Sequence, residues 1–407
     1  MHRLENDIRN YAWGSHRVLA EFGGRPSPTA RPEAELWIGA HPSTPSRLVG
    51  ADGTSSLADA IAADPHHHLG SALAAEYDGR LPFLFKVLAA EQPLSIQAHP
   101  SHAQAKAGFA AEEELGIPRD DPKRNYKDPF AKPEVFVAQT EAEVLCGFRR
   151  SAHAAHLLSR LGVATLAPYI GSLLAGRASD GFRVVVTTLL SMPEEKQSTL
   201  AAQVAAESAR AATASDVNPD EARAYEWVAR LHEAYPGDVG VVISLLMNLV
   251  TLAPGQAVYH GPGVPHAYLR GSGLEAQGNS DNTLRGGLTP KHVDVAELLK
   301  VLDFEPLTDP VITAQPVPGS PAMHWPTPAR EFGLYECEVT DDPHVMSLTG
   351  PRIALCLEGT THLASGDTQL ELRRGESAYF AAAEPDATLT GAGRVAVIAA
   401  GQVRRAR

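Results

Sequence analysis

Apolar runs of strand length, each cut off by Gly or Pro, limit the folds open to this chain more than any other feature. In residues 1–150 they read LPFLFKVL, PLSIQAH, PEVFVAQ and EAEVLCGF. Short runs bounded by turn formers point to strands. The last 80 residues repeat the pattern in VMSLTG, RIALCLEG, THLASG, TQLELRRG and VAVIAAG. These alternate apolar and polar side chains, as half-buried strands do. Residues 151–244 follow a different period. AHLLSRLG, TLAAQVAAESARAATA and EARAYEWVARLHEAY carry helical spacing and strong helix formers. The expectation is a mainly β protein with a β-sandwich at each end and a helical insertion domain between them.

The expected boundaries follow the same shifts. Residues 1–150 together with 245–305 form the first β domain, and 151–244 the insertion. Residues 306–328 hold seven prolines and read as an extended linker. Residues 329–407 form a carboxy-terminal β domain. Ser101 stands where it can cap a helix over HAQAKAGFAAEEELG, and its run Glu112-Glu113-Glu114 reads as a solvated face.

Charge and cysteine content exclude several classes. A formal net charge of −13 argues against nucleic-acid binding, which needs a basic face to displace counterions from phosphate. It leaves room for a small anionic substrate met by a few local cations. Cys146, Cys337 and Cys356 are far apart and odd in number, so neither a disulfide framework nor a CxxC metal site follows. The first residues, MHRLENDIRNYAWGSH, lack the apolar stretch of a signal peptide. No run approaches the roughly 20 apolar residues of a membrane span. The expectation is a soluble, cytoplasmic protein with no membrane or obligate protein partner.

Four residues stand out chemically. Gln97 and His99 lie two apart in LSIQAHP, so a strand puts both on one face, together with Ser95. Glu134 opens the run in KPEVFV, and His266 follows the turn GPGVP. Two His and a carboxylate are a recurring ligand set for catalytic zinc, leaving positions open for water or substrate. The same set serves non-haem iron oxygenases. His66-His67-His68 is read as a solvated loop or helix start. The segment from Gly255 to His266 resembles the second signature motif of cupin jelly rolls. The segment from Gly375 to Asp386 repeats its spacing without the His. Either the carboxy-terminal domain is a cupin copy without metal ligands, or two Gly-rich turns coincide.

FLFKVLAAEQPLSIQAHP, KPE, GPGVPHAY and SDNTLRGGLTPK, together with YAWGS and AELWIGAHP, resemble the type I mannose-6-phosphate isomerases, also called phosphomannose isomerases. The resemblance runs in order from residue 11 to about 303. It implies cupin-type jelly-roll sandwiches and interconversion of mannose 6-phosphate and fructose 6-phosphate through a cis-enediol. It also implies one zinc ion per chain on Gln97, His99, Glu134 and His266. Ser95, Lys132, Arg285 and Lys291 would line a pocket for the hexose phosphate, with Glu275 close by. Arg285, Lys291 and Glu275 are the catalytic candidates, Glu275 as the base or as a partner orienting another residue. Lys86 either reaches the phosphate or pairs with a buried carboxylate. Asp281 is read as holding a turn. Many relatives have His before the Lys of KPE; here Ala131 stands there, so no indispensable proton transfer can be given to that position. A non-haem iron oxygenase and a non-catalytic sugar-binding cupin are the alternatives.

Overall fold

A computed structural model describes residues 1–50 and 53–401. The chain forms two large antiparallel sheets. One runs through the strands Asp7–Arg9, Glu35–Gly39, Phe83–Ala90, His266–Gly278, Glu134–Ala138 and Gln256–His260. Ile96–Ala98, Leu284–Gly287, Ala142–Phe148 and Met247–Leu252 join it beside the long strand His266–Gly278. The other sheet is built on Gly333–Val339, Arg352–Ser365, Ser377–Phe380 and Ala387–Ala399. Phe83, Phe85, Val135 and Leu274 of the first sheet share one buried cluster with Leu334, Ile353, Leu355 and Ile398 of the second. The sheets therefore pack face to face and shed water jointly, at about 25 cal/mol per Å² of apolar surface.

The expected boundaries need two corrections. His2–Glu5 pairs with Ser377–Phe380 on one side and Arg47–Gly50 on the other, so the first strand belongs to the carboxy-terminal sheet. Leu4 is buried in the inter-sheet cluster, and this apolar anchor outweighs closeness in sequence. The segment 306–328 is also more than a linker. Val311–Thr313 pairs with Gln256–His260, while Gln315–Pro316 and Met323–His324 extend the second sheet. Pro310 immediately precedes Val311–Thr313 and Pro316 lies in the edge strand Gln315–Pro316, places where a missing N–H is tolerated.

The Gly255 and Gly375 segments fold alike. Both glycines have φ of 85°, a value side chains disfavour. Each precedes a short strand (Gln256–His260 or Ser377–Phe380), a turn, and a strand of 13 residues (His266–Gly278 or Ala387–Ala399). The second copy carries Asp386 where the first carries His266.

Helices occupy the middle of the chain, from Ser151–Arg160 to Gly240–Ser244. Phe182, Val204, Tyr225 and Leu231 of this block share a core with Ile96, Leu145, Leu284 and Leu288 of the first sheet. The helices thus press on the strands that carry Gln97 and Arg285. The helix His102–Glu114 starts with a full capping box between Ser101 and Gln104. Its acidic run is not wholly solvated. Glu112 is buried, pairs with Arg124 at 2.9 Å, and accepts from the Asn125 and Tyr126 amides.

Candidate active site

Strand register brings the distant ligand candidates together. His266 stands opposite Gln97 on one side and Cys146 on the other, and Arg285 also faces Gln97. Glu134 pairs with Gln277 of the His266 strand. His99 lies one residue beyond Ile96–Ala98, with Pro100 ending that run. One donor atom each from His99, Glu134 and His266 lies within 4.8 Å of the other two. All three side chains are buried.

The imidazole tautomers are fixed from behind. His99 Nδ1 is 2.7 Å from the Asn282 carbonyl and His266 Nδ1 is 3.0 Å from the Val264 carbonyl. A carbonyl only accepts, so each Nδ1 carries the proton and each Nε2 a lone pair. The Nε2 atoms lie 3.4 Å and 3.3 Å from the two oxygens of Glu134. His99 Nε2 is buried without a hydrogen-bond partner. Burial first, then Lys132, pull His99 down to about 4, so the ring is neutral near pH 7. Two lone pairs aimed at a carboxylate are acceptors facing acceptors, an arrangement a divalent cation satisfies. The donor set fits zinc, and the carbonyls behind each ring are the usual outer partners of ligating histidines.

A cavity of about 390 Å³ opens beside this cluster, lined by Ser95, Gln97, Lys132, Arg285 and Lys291. The predicted pocket residues therefore line a single cavity. Lys132 Nζ is 2.9 Å from Glu134 Oε1. Although burial opposes the charge of Glu134, Lys132 and the two histidines hold it well below the usual carboxylate range. Lys127, Arg285 and Lys291 also border the cavity, and among the described residues none of them is ion-paired. Burial, then Arg285 and Lys127, lower Lys291. Burial alone lowers Arg285. Cations gathered without ion-pair partners of their own mark a berth for an anion.

Glu275 does not line this cavity. It lies fully buried behind Lys86, 2.8 Å from the ammonium, and its other oxygen accepts from Tyr268 Oη at 2.7 Å. Glu35 Oε1 is 3.5 Å from the same ammonium, and Glu35 Oε2 accepts from Trp37 Nε1 at 2.7 Å. Lys86 is thus the centre of a buried charge cluster. The carboxylates that do reach the cavity are Glu35 and Asp281. Burial raises Asp281, but His41, 3.4 Å away, with Lys132 and Lys127, bring it down to about 2.

Sequence reasoning missed Lys127, His41, Tyr235 and His260. His260 is fully buried and stacks on His266 with ring centroids 4.0 Å apart and planes 11° apart. The strand pairing of His260 with Glu134 was its only available signal. His66–His68 fall within the short helix Pro65–Leu69. The three cysteines are buried thiols.

Two family models match the chain: phosphomannose isomerase type I, catalytic domain, over residues 1–151, and mannose-6-phosphate isomerase, cupin domain, over residues 322–400. Mannose-6-phosphate isomerase of Escherichia coli is 39% identical over 397 residues, covering 97% of this chain and 98% of that one. The human mannose-6-phosphate isomerase is 30% identical over 412 residues, covering 93% and 92%. A crystal structure of mannose 6-phosphate isomerase bound with zinc and yttrium superposes with a TM-score of 0.88 at 35% identity, covering 99% of this chain and all of that one. A mutant phosphomannose isomerase from Salmonella typhimurium gives 0.89 at 36%, with the same coverage. Similarity along nearly the whole length, together with the cluster of His99, Glu134 and His266, means that this chain belongs to the type I phosphomannose isomerase family.

Proposed function

We propose that the chain interconverts mannose 6-phosphate and fructose 6-phosphate, with one zinc ion held by Gln97, His99, Glu134 and His266. One observation carries the reading. Two imidazole lone pairs converge on Glu134 at a cavity that also holds three unpaired cations. The curated relatives named for this activity supply the substrate, and a neighbour crystallised with zinc supplies the metal. Bound here, zinc would polarise the sugar oxygens and neutralise charge developing on them without redox chemistry.

The chain's own residues do the rest. Lys291 and Lys127 grip the phosphate as point charges. Arg285 stays protonated at neutral pH and cannot serve as base. Its cross-strand place beside Gln97 directs it to the oxygen that becomes negative in the cis-enediolate. Ser95 and Lys132 hydrogen-bond sugar hydroxyls. Proton transfer from C2 to C1 needs a group on the cavity wall. We assign it to Asp281, whose only side-chain partner among the described residues is His41. The substrate phosphate offsets the lysines that hold Asp281 low and so makes it a better base. Glu275 orients Lys86 and Tyr268. The reading places the enzyme in the cytoplasm.

The test is a coupled assay of fructose 6-phosphate formation with and without chelator. Activity should vanish on chelation and return with zinc. Full activity in metal-free protein, or a requirement for Fe(II) and oxygen, would overturn the assignment. Metal binding without turnover would favour the non-catalytic alternative.

A further inference from the structure

We propose that Asp238, in the turn that closes the helical insertion, is the positioning residue for the loop carrying Lys291, so that the insertion sets the grip on the substrate's phosphate. This rests on the assignment of Lys291 to the phosphate made above. The loop from Gly287 to Lys291 has an irregular backbone. Gly287 has φ of 125° and Leu288 φ of 55°. A leucine in the left-handed region persists only where its surroundings hold it.

The insertion provides that hold. Asp238 Oδ2 accepts from the Thr289 amide at 3.0 Å, and Oδ1 accepts from the Gly240 amide at 2.7 Å. The carboxylate thus bridges the helix Gly240–Ser244 and the loop. Thr289 Oγ1 in turn accepts from the Lys291 amide at 3.1 Å. The two backbones touch where both are glycine. A Cβ on Gly240 would stand 2.7 Å from Leu288 N, and one on Gly287 would stand 2.8 Å from Gly240 Cα. Leu288 is itself fully buried in the core that joins helices and sheet.

The same turn reaches the cavity at a second place. Tyr235 lines the cavity, and its hydroxyl donates to the Pro93 carbonyl at 2.7 Å, two residues before Ser95. The insertion therefore braces the cavity at two points, beside Ser95 and beside Lys291. Asp238 does not border the cavity and acts on substrate only through Thr289 and Lys291.

The experiment compares zinc-loaded wild-type enzyme with Asp238→Asn, Lys291→Ala and the double variant. It measures kcat, KM for mannose 6-phosphate, inhibition by inorganic phosphate, and zinc content. An amide keeps one acceptor but turns a donor toward the other N–H, costing the loop one charge-assisted hydrogen bond. We expect Asp238→Asn to raise KM and the inhibition constant of phosphate together, each about tenfold. We expect kcat to stay within about twofold and zinc to remain stoichiometric. In the Lys291→Ala background the same change should add nothing. A merely structural role would lower kcat and zinc content and leave the phosphate constant unmoved; that result overturns the inference. If Lys291→Ala raises KM and Asp238→Asn does not, this inference alone fails. If Lys291→Ala changes neither KM nor phosphate inhibition, the underlying assignment fails. Should Asp238→Asn not fold, Thr289→Ala removes the link to Lys291 and should raise the same two constants by about threefold; unchanged constants would refute the coupling.

Discussion

Replacing Lys86 with Met tests the claim that this lysine neutralises the buried carboxylates Glu275 and Glu35. Its ammonium lies 2.8 Å from Glu275 and 3.5 Å from Glu35. At an effective dielectric constant of about 20, the closer contact alone amounts to roughly 6 kcal/mol. The measured loss is capped, because Glu275 can take up a proton instead. From an ordinary value of 4.5, protonation at pH 7 costs about 1.4 × 2.5, or about 3.5 kcal/mol. Lys86→Met should therefore destabilise the protein by about 3–4 kcal/mol at pH 7, within the range for orphaning one partner of a buried pair. The sign with pH follows. Burial holds Glu275 above its ordinary value even though Lys86 opposes it; without Lys86 it rises further, so the folded variant binds more protons than wild type and loses more stability as pH rises. The penalty should shrink on acidification, by at most about 1.4 kcal/mol per unit. Urea unfolding of the metal-free proteins at pH 5.5 and pH 7, read as midpoint shifts at constant slope, measures it. Adding Glu275→Gln to the variant should recover part of the loss at pH 7. A penalty below about 1 kcal/mol at pH 7, or one that does not vary with pH, refutes the buried-charge account.

Three further outcomes are expected. Arg285→Ala should retain zinc and lose about 10²–10³ in kcat, as removal of an oxyanion-stabilising group does; wild-type turnover would show its role to be misassigned. His266→Ala should lose zinc, measured by metal analysis of the purified protein, while keeping native circular dichroism. The pair of His102 with the buried Glu331, 2.7 Å apart, ties the helix His102–Glu114 to the start of the carboxy-terminal domain. The hydrogen bond to Glu331 raises His102 above 6.5, so its contribution is complete below that value and lost as pH climbs through the folded one. Thermal unfolding should show a midpoint falling from pH 6 to pH 9 by more in wild type than in His102→Ala, and parallel curves would exclude the effect.

Legibility from sequence followed the range of the physics involved. Gln97 and His99 could be put on one face by period-two spacing, but joining them to Glu134 and His266 took the resemblance of short motifs to a known family; Ser101 could be read because a cap and its Gln104 lie three residues apart. The pairing of His2–Glu5 with Ser377–Phe380 could not be found, since nothing in HRLE records a partner more than 370 residues away. Glu112 looked solvated because its partner Arg124 arrives only when the loop after the helix folds back. Glu275 looked like a base because the resemblance put a carboxylate near the metal and Arg285, and its burial behind Lys86 was not visible. The pairing of Asp281 with His41 could not be read either, since it crosses 240 residues.

These failures share a cause that bears on how the site works. Of its proposed metal ligands, Gln97, Glu134 and His266 come from strands whose register is fixed by ladder hydrogen bonds, and a one-residue slip would turn His266 or Glu134 to the other face of the sheet. That part of the site is rigid and written in short motifs. The cations sit otherwise. Arg285 lies on a four-residue strand with an irregular register next to Gln97, and Lys291 lies on a loop held from outside by Asp238. The sugar carbons that exchange a proton must be placed within a few tenths of an ångström of the base, whereas a phosphate at the far end tolerates a softer grip and must also be released. Placing most of the proposed metal ligands on the sheet and the phosphate grip on a braced loop lets the helical insertion tune binding without disturbing ligand geometry. Substitutions in the insertion should therefore register first in KM, and those in the ladder first in metal content.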